Sequence, residues 1–257
     1  MFIFRTGTVE ITAINIGVER SRWTALALEK ASSGFACEVM KRNRFDVLPI
    51  DDGGETLVTE YFHTQERSLW TSETIQRSEI INSDLLEAST SLESLVNAFV
   101  QSERTFYFLS QNDMICRLVT LADLNSRQAK FYLFAPLCEL EVRLGRWVQS
   151  HVDEDRIRRK LKPDARGNYE IDRDRGFEAR PIEYASLSNL LQIITQSRVY
   201  GDLGYTKQQF NELNTLVELR NQVMHPVRSL VHNRESLVKV KERLDKLAEV
   251  LKRLREI

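Results

Sequence analysis

One apolar pattern occurs twice in the first half of the chain, and this internal repeat limits what the chain can fold into. Residues 45–59 align without a gap with residues 106–120 at one constant offset. The coinciding residues are Phe45 with Phe106, Leu48 with Leu109, Leu57 with Leu118, Val58 with Val119 and Thr59 with Thr120. Turn residues separate two apolar runs in each copy, at 51–54 and at 111–113. The pattern predicts a strand, a tight turn and a second strand in both copies.

A helix is predicted before each of these hairpins. Residues 25–40 have helical character that is interrupted at Ser33-Gly34. Residues 91–100 place four apolar side chains on one helical face, namely Leu92, Leu95, Val96 and Phe99. The repeated unit is therefore predicted to run helix, strand, strand, helix. We place the two repeats at about 1–72 and 73–128, and together they form a predicted N-terminal module over 1–128.

From residue 129 to residue 257 the pattern changes to long helical periodicity. The last segment spaces its leucines and valine as one apolar seam, formed by Leu237, Val240, Leu244, Leu247, Leu251 and Leu254. Residues 153–180 are rich in both charges and are predicted as a short helical extension followed by a solvated loop. The segment 129–257 is predicted to form a four- or five-helix bundle, which makes the chain an α+β protein.

Composition excludes several classes of protein. The chain has 257 residues, of which 42% are hydrophobic, so it can build a core in two domains. Its 36 basic and 37 acidic residues nearly balance, so any nucleic-acid site must be local. The three cysteines lack metal-binding spacing, and no metal site is predicted. No apolar run is long enough to span a membrane and no leader segment is evident, which predicts a cytoplasmic protein.

The end of the second repeat resembles a CBS domain. A strand ending in Leu118-Val119-Thr120 is followed by Leu121-Ala122-Asp123-Leu124-Asn125, which is similar to the strand-to-helix junction of that family. The resemblance implies a tandem CBS pair that binds an adenosine nucleotide (AMP, ADP or ATP) between its repeats.

By this resemblance the ligand residues are Thr120 and Asp123. The Asp123 carboxylate suits the ribose hydroxyls, and Thr120 with first-turn amides suits a phosphate. Arg117 stands where the family usually has a small residue, and it either alters the pocket or pairs with the phosphate. The first copy has Phe62 at the position aligned with Asp123, which predicts a degenerate site. The alternative role of Asp123 is to cap a helix.

A second constellation lies late in the helical half, in the segment Glu218-Leu219-Arg220-Asn221-Gln222-Val223-Met224-His225-Pro226. Asn221 and His225 are four residues apart and share a helical face, and the long Arg220 side chain can converge with them. Pro226 places His225 at the helix end. An imidazolium at that end is stabilised by the helix dipole, which suits a general acid.

This segment resembles the ribonuclease motif of HEPN domains. The resemblance implies that Arg220, Asn221 and His225 line an RNA-cleaving site formed where two helical domains meet as a homodimer. Metal-independent cleavage of this kind gives 2′,3′-cyclic phosphate and 5′-hydroxyl ends. Glu141 breaks an apolar helix and is a candidate to orient Arg220; its alternative is a surface salt bridge with Arg143 or Arg146. The alternative reading of the motif is that Arg220 pairs with Glu218 or another carboxylate and that His225 simply caps a helix.

The sequence as a whole therefore predicts a cytoplasmic, homodimeric, metal-independent endoribonuclease. An adenosine nucleotide on the CBS-like pair is expected to regulate it, in a stress or antiviral response. The predicted partners are RNA, the nucleotide, a second copy of the chain and a separate antitoxin or regulator, with no membrane. The competing hypothesis is a non-catalytic, nucleotide-sensing module that dimerises and binds RNA or a partner protein.

Overall fold

The structure, a computed structural model, describes residues 11–51, 58–64, 70–102 and 104–256. These residues form two compact units. The N-terminal unit comprises residues 11–129 together with Val231–Arg234, and the helical unit comprises Lys130–Leu230 together with residues 235–256. A strand-rich region with two small sheets thus precedes a helical region, and the predicted α+β class is confirmed at this level. No described helix is both long and apolar enough to cross a membrane.

The N-terminal unit contains two four-stranded sheets, of order β2-β3-β4-β5 and β1-β8-β7-β6. Its elements are α1 (Ala13–Ile16), β1 (Val18–Glu19), β2 (Leu26–Ala27), α2 (Ser33–Asn43), β3 (Val47–Asp51), β4 (Glu60–Thr64), β5 (Ile75–Glu79), β6 (Leu85–Glu87), α3 (Leu92–Gln101), β7 (Phe106–Gln111) and β8 (Met114–Thr120). β2 is parallel to β3 and β6 is parallel to β7, whereas both hairpins are antiparallel. Each sheet therefore contains the same strand, helix, strand, strand unit.

The predicted start of the first helix is wrong. Leu26 and Ala27 form a short strand instead, and α2 begins at Ser33. The hydroxyl of Ser32 accepts a hydrogen bond from the backbone N–H of Phe35 and caps the helix. Ser-Ser-Gly is thus the start of the helix rather than an interruption within it, as expected for a serine N-cap. Ser91 caps α3 in the same way.

The gapless alignment of the two repeats is also wrong beyond the first strand of each hairpin, because the two connections differ in length. Residues 52–59 separate β3 from β4, whereas only Asn112 and Asp113 separate β7 from β8. Both of the latter have left-handed φ, 52° and 61°, as a tight hairpin turn requires. The predicted turn at 51–54 falls mostly outside the described residues.

The repeats must therefore be matched by strand pairing. In the first strands Leu48 aligns with Leu109; Leu48 pairs with Phe62 and Leu109 pairs with Arg117, so the counterpart of Phe62 is Arg117. Phe62 is not the counterpart of Asp123; it lies inside β4 opposite Leu48 and is buried in the core. The counterpart of Asp123 falls within 65–69, outside the described residues.

A buried polar network joins elements from both repeats of the N-terminal unit. The Asp84 carboxylate is 1% exposed and pairs with the guanidinium of Arg104. It also accepts hydrogen bonds from the hydroxyl of Tyr61 at 3.2 Å and from the backbone N–H of Ile81 at 2.9 Å. Since a buried carboxylate is costly without partners, this network stabilises the unit only while all of its members are present.

The helical unit is built from a long helix α4 (Arg127–His151), whose first turn lies in the N-terminal unit, and six further helices. They are α5 (Glu154–Lys160), α6 (Pro163–Asp174), α7 (Leu187–Ser197), α8 (Lys207–Asn211), α9 (Thr215–Met224) and α10 (Arg234–Glu256). The predicted seam of α10 is confirmed, since all six of its residues are buried.

The prediction of a solvated loop within 153–180 is wrong, because most of that segment folds into α5 and α6. Asp153 caps α5 through a hydrogen bond from the backbone N–H of Arg156 at 2.8 Å. Pro163 occupies the first turn of α6, where its missing N–H costs nothing. Ile157 of α5 and Tyr169 of α6 are buried, so each helix packs a side chain into the core although its sequence is otherwise rich in charge.

Candidate active site

The Arg-Asn…His segment lies on the last turns of α9. Leu216, Leu219 and Val223 are buried on one side of this helix. Arg220 and Asn221 are half-buried, and His225 is exposed at the helix end. His225 has extended backbone angles, φ −98° and ψ 107°, because the following proline disfavours a helical conformation. Its backbone N–H still donates to the carbonyl of Asn221 at 3.2 Å.

Glu141 of α4 holds the Arg220 side chain. Nε of Arg220 donates to Oε1 of Glu141 at 3.3 Å, and Nη1 approaches Oδ1 of Asn221 at 3.5 Å. The two charged side chains are 32% and 28% exposed, so the guanidinium is held in place and remains accessible from solvent. We call Arg220, Asn221, His225 and Glu141 the α9 cluster.

The alternative partners of these residues are occupied elsewhere. Glu218 pairs with Arg243 of α10, and Arg243 also donates to Oε1 of Gln222 at 3.1 Å. Arg143 pairs with Glu139 at 2.8 Å rather than with Glu141. Glu218 and Arg143 therefore do not compete for the contact between Arg220 and Glu141.

Cys138 lies close to the same pair of charges. Burial raises the pKa of its thiol, the Glu141 carboxylate raises it further, and the Arg220 guanidinium lowers it. The net shift is upward, so Cys138 is a neutral thiol at pH 7. It contributes packing beside the cluster rather than a nucleophile.

The His225 imidazole forms no hydrogen bond with any residue that the structure describes. Its neighbours in sequence include two exposed apolar residues, Met224 at 39% and Val227 at 95% exposure. The ring is therefore accessible to a substrate or a second protein. The structure brings Arg220, Asn221 and Glu141 into contact with one another, and it places His225 at the surface four residues beyond Asn221.

The residues proposed for nucleotide binding in the second repeat are engaged with one another. Oδ2 of Asp123 accepts hydrogen bonds from the backbone N–H of Thr120 at 2.7 Å and from its hydroxyl at 2.8 Å. This is the capping role, the alternative considered for Asp123. Burial raises the pKa of Asp123, and the two hydrogen bonds from Thr120 act in the opposite direction. Its Oδ1 accepts no hydrogen bond from a described residue.

Arg117 contacts the neighbouring strand. Its guanidinium donates to the carbonyl of Gly17 at 2.9 Å and to Oε1 of Glu19 at 2.7 Å. These contacts accompany the antiparallel pairing of β1 with β8. In this conformation Arg117 stabilises the sheet edge.

A cavity of about 920 Å³ lies elsewhere in the N-terminal unit, between the two sheets. Its lining combines apolar residues with four carboxylates, those of Glu60, Glu79, Glu87 and Asp113, and its described lining contains no lysine or arginine. Thr120, Asp123 and Arg117 are not among the lining residues. Carboxylates in the lining disfavour a phosphate in this cavity.

The sequence did not indicate Lys130 or Asn125, two residues that bind the backbone after the motif. Within the helical unit, the Lys130 ammonium donates to the carbonyls of His225, Pro226 and Arg228. Within the N-terminal unit, Nδ2 of Asn125 donates to the carbonyl of Val231 at 2.7 Å, and Oδ1 accepts from its N–H at 2.9 Å. The sequence carried no distinct signal for Lys130, because the start of α4 also contains Arg127 and Gln128.

Comparisons with known proteins add little. No protein family model matches the sequence, and no curated protein sequence matches it. Among solved structures, the chain is similar to a hexameric CBS-CP12 protein from bloom-forming cyanobacteria, at 13% identity and a TM-score of 0.32. That likeness covers 65% of this chain and 94% of the other.

Proposed function

We propose that the helical unit is a HEPN-type, metal-independent endoribonuclease whose active site is the α9 cluster. The observation that carries this proposal is the contact between Arg220 and Glu141, which holds a partly exposed guanidinium beside Asn221 on the helix that ends at His225. A cation, an amide and an imidazole on adjacent turns are the groups that phosphodiester cleavage through a neighbouring hydroxyl needs.

In the proposed reaction the 2′-hydroxyl of the substrate attacks the adjacent phosphorus. The new bond joins the 2′-oxygen to phosphorus, and the bond from phosphorus to the 5′-oxygen breaks. A neutral His225 accepts the 2′-hydroxyl proton, and a protonated His225 donates a proton to the departing 5′-oxygen. Arg220 stabilises the negative charge of the phosphorane, and Asn221 donates a hydrogen bond to it. The products are a 2′,3′-cyclic phosphate and a 5′-hydroxyl.

One imidazole cannot hold both protonation states at once, so the proposal includes a homodimer formed through the helical unit. A second copy then supplies the other His225 and the other Arg220. The exposed apolar residues beside His225, Met224 and Val227, support a protein contact at this surface. The proposed environment is the cytoplasm, with RNA as substrate and a separate antitoxin or regulator as a further partner.

We expect Arg220→Ala to lower RNA cleavage by about a hundredfold or more, because the phosphorane loses its positive charge. The measurement is the initial rate of cleavage of mixed transfer and messenger RNA in chelator. Arg173→Ala is the matched control, because it removes one guanidinium that pairs with Asp174 on α6, away from the cluster. Equal rates for Arg220→Ala and the wild type would contradict the proposed site.

The proposal extends to the N-terminal unit as a tandem CBS-type pair that regulates the ribonuclease with AMP, ADP or ATP. Thr120 and Asp123 are its proposed ligand residues. Arg117 is proposed to leave Gly17 and Glu19 and to pair with the phosphate of the nucleotide. The Asn125 hydrogen bonds support this regulation, because Asn125 ends the turn that contains Asp123 and binds Val231, six residues after His225. A ligand that changes this turn can therefore alter the chain that follows the motif.

A bound nucleotide is expected to raise the midpoint of thermal unfolding, and the shift should grow with the logarithm of the nucleotide concentration above the dissociation constant. The measurement is a thermal scan with AMP, ADP and ATP in turn. Asp123→Asn keeps one acceptor oxygen for Thr120 but removes the charge, so it should keep the ligand-free midpoint and lose the nucleotide shift. A wild-type midpoint that no nucleotide changes would exclude this part of the proposal.

A further inference from the structure

Lys130 is a buried lysine whose ammonium is directed at the turn after the motif. It lies in the first turns of α4 and is 6% exposed. Its Nζ donates to the carbonyls of His225 at 3.2 Å and of Pro226 at 2.8 Å, and also to that of Arg228. A lysine ammonium has three N–H groups, so these three carbonyls account for all of its donors.

The environment of this ammonium is unusual for a buried charge. Burial lowers the pKa of Lys130. Within the described chain all of its hydrogen-bond partners are backbone carbonyls, and no carboxylate pairs with it. The three carbonyls belong to the turn that follows α9, so they have no partners within the helix. The cation and these carbonyls therefore satisfy each other.

The turn at 225–228 has few other attachments. Its four side chains, those of His225, Pro226, Val227 and Arg228, are all exposed. Its backbone hydrogen bonds are local, from His225 N–H to Asn221 at 3.2 Å and from Arg228 N–H to His225 at 3.1 Å. The turn packs no side chain into the core, and the Lys130 ammonium ties its backbone to α4.

We infer that Lys130 is a positioning residue for His225, and this inference rests on the proposed ribonuclease function. Lys130 does not touch the substrate. It holds the backbone of the turn so that the His225 imidazole keeps one position relative to Arg220 and Asn221. A small displacement of a catalytic group costs up to about a hundredfold in rate, so a role of this kind is visible in kinetics.

The test replaces Lys130 with methionine, which keeps the buried stem and removes the ammonium. Cleavage in chelator should fall by about ten- to a hundredfold in kcat, with KM for RNA nearly unchanged. In the His225→Ala background the same substitution should have no further effect on the residual rate, because Lys130 acts only through His225. Lys162→Met is the matched control, since that ammonium binds the Ser188 hydroxyl at the surface.

A second measurement does not depend on RNA. Amide hydrogen exchange at Arg228 and the NMR signals of the His225 ring should show a loosened turn in Lys130→Met and an unchanged one in Lys162→Met.

If Lys130→Met fails to fold, Lys130→Gln, which keeps two N–H donors, replaces it in both measurements. An unchanged turn, or equal losses with and without His225, would overturn the inference. A loosened turn in a protein whose wild type cleaves no RNA would overturn the proposed function, and the positioning role with it.

Discussion

Replacing His225 with alanine is expected to lower the rate of RNA cleavage by about a hundredfold to ten-thousandfold while the protein stays folded. The imidazole is the only group of the α9 cluster that can both accept and donate a proton near neutral pH, and general acid–base catalysis contributes on this scale. The initial rate of RNA cleavage in chelator measures the effect. The imidazole is exposed and has no hydrogen bond to a described residue, so its removal should leave stability nearly unchanged.

His151→Ala is the matched control for this prediction. His151 is the other histidine of the helical unit, where its ring stacks on Trp147 at the end of α4 with 3.7 Å between the ring centroids. We expect this variant to cleave at the wild-type rate, because it is not part of the cluster. Equal activity of wild type and His225→Ala would remove the imidazole from the mechanism. If both are inert but dimeric, the competing hypothesis of a non-catalytic interaction module becomes the better account.

The second large effect concerns stability. Arg104→Ala is expected to lower the free energy of unfolding of the N-terminal unit by about 3 kcal/mol, because it leaves the buried Asp84 carboxylate without its counter-charge. The hydrogen bonds from Tyr61 and Ile81 remain, but they do not neutralise the charge. Urea unfolding followed by the fluorescence of Trp23 and Trp70 measures the loss in this unit.

Arg77→Ala is the control for Arg104→Ala, because Arg77 pairs with Glu60 across exposed strand positions of the same unit. Its effect should be much smaller, as is usual for surface ion pairs. Adding Asp84→Asn to Arg104→Ala should recover part of the lost stability, since the buried amide needs no counter-charge. Similar losses from Arg104→Ala and Arg77→Ala, or no recovery in the double variant, would show that the network is not held together by charge.

The features that the sequence predicted well depend on residues close together in the chain. Proline after His225 fixed the end of α9, and the spacing of leucines identified the buried side of α10. The polar break at Glu141 marked the residue that contacts Arg220, although these two are 79 positions apart. The proline and Glu141 were departures from a helical pattern, whereas the leucines of α10 were the pattern itself.

The features that the sequence did not predict depend on distant or compensating interactions. The connection between β3 and β4 is longer than that between β7 and β8. A constant offset therefore aligned Phe62 with Asp123, whereas strand pairing places Phe62 inside β4. Buried Ile157 and Tyr169 turn a charged stretch into two helices. The partners of Lys130 are backbone carbonyls 95 to 98 positions away, and because every residue type carries a carbonyl, no side-chain pattern reveals them.

The central claim is that the α9 cluster cleaves RNA without a metal, and the chemistry of the product ends tests it most directly. The purified protein is incubated with mixed transfer and messenger RNA in chelator, and the new termini are identified by mass spectrometry for the wild type and for His225→Ala. The account predicts 2′,3′-cyclic phosphate and 5′-hydroxyl ends that appear with the wild type and are absent with the variant. Products with 5′-phosphate ends, or identical products from both proteins, would contradict it.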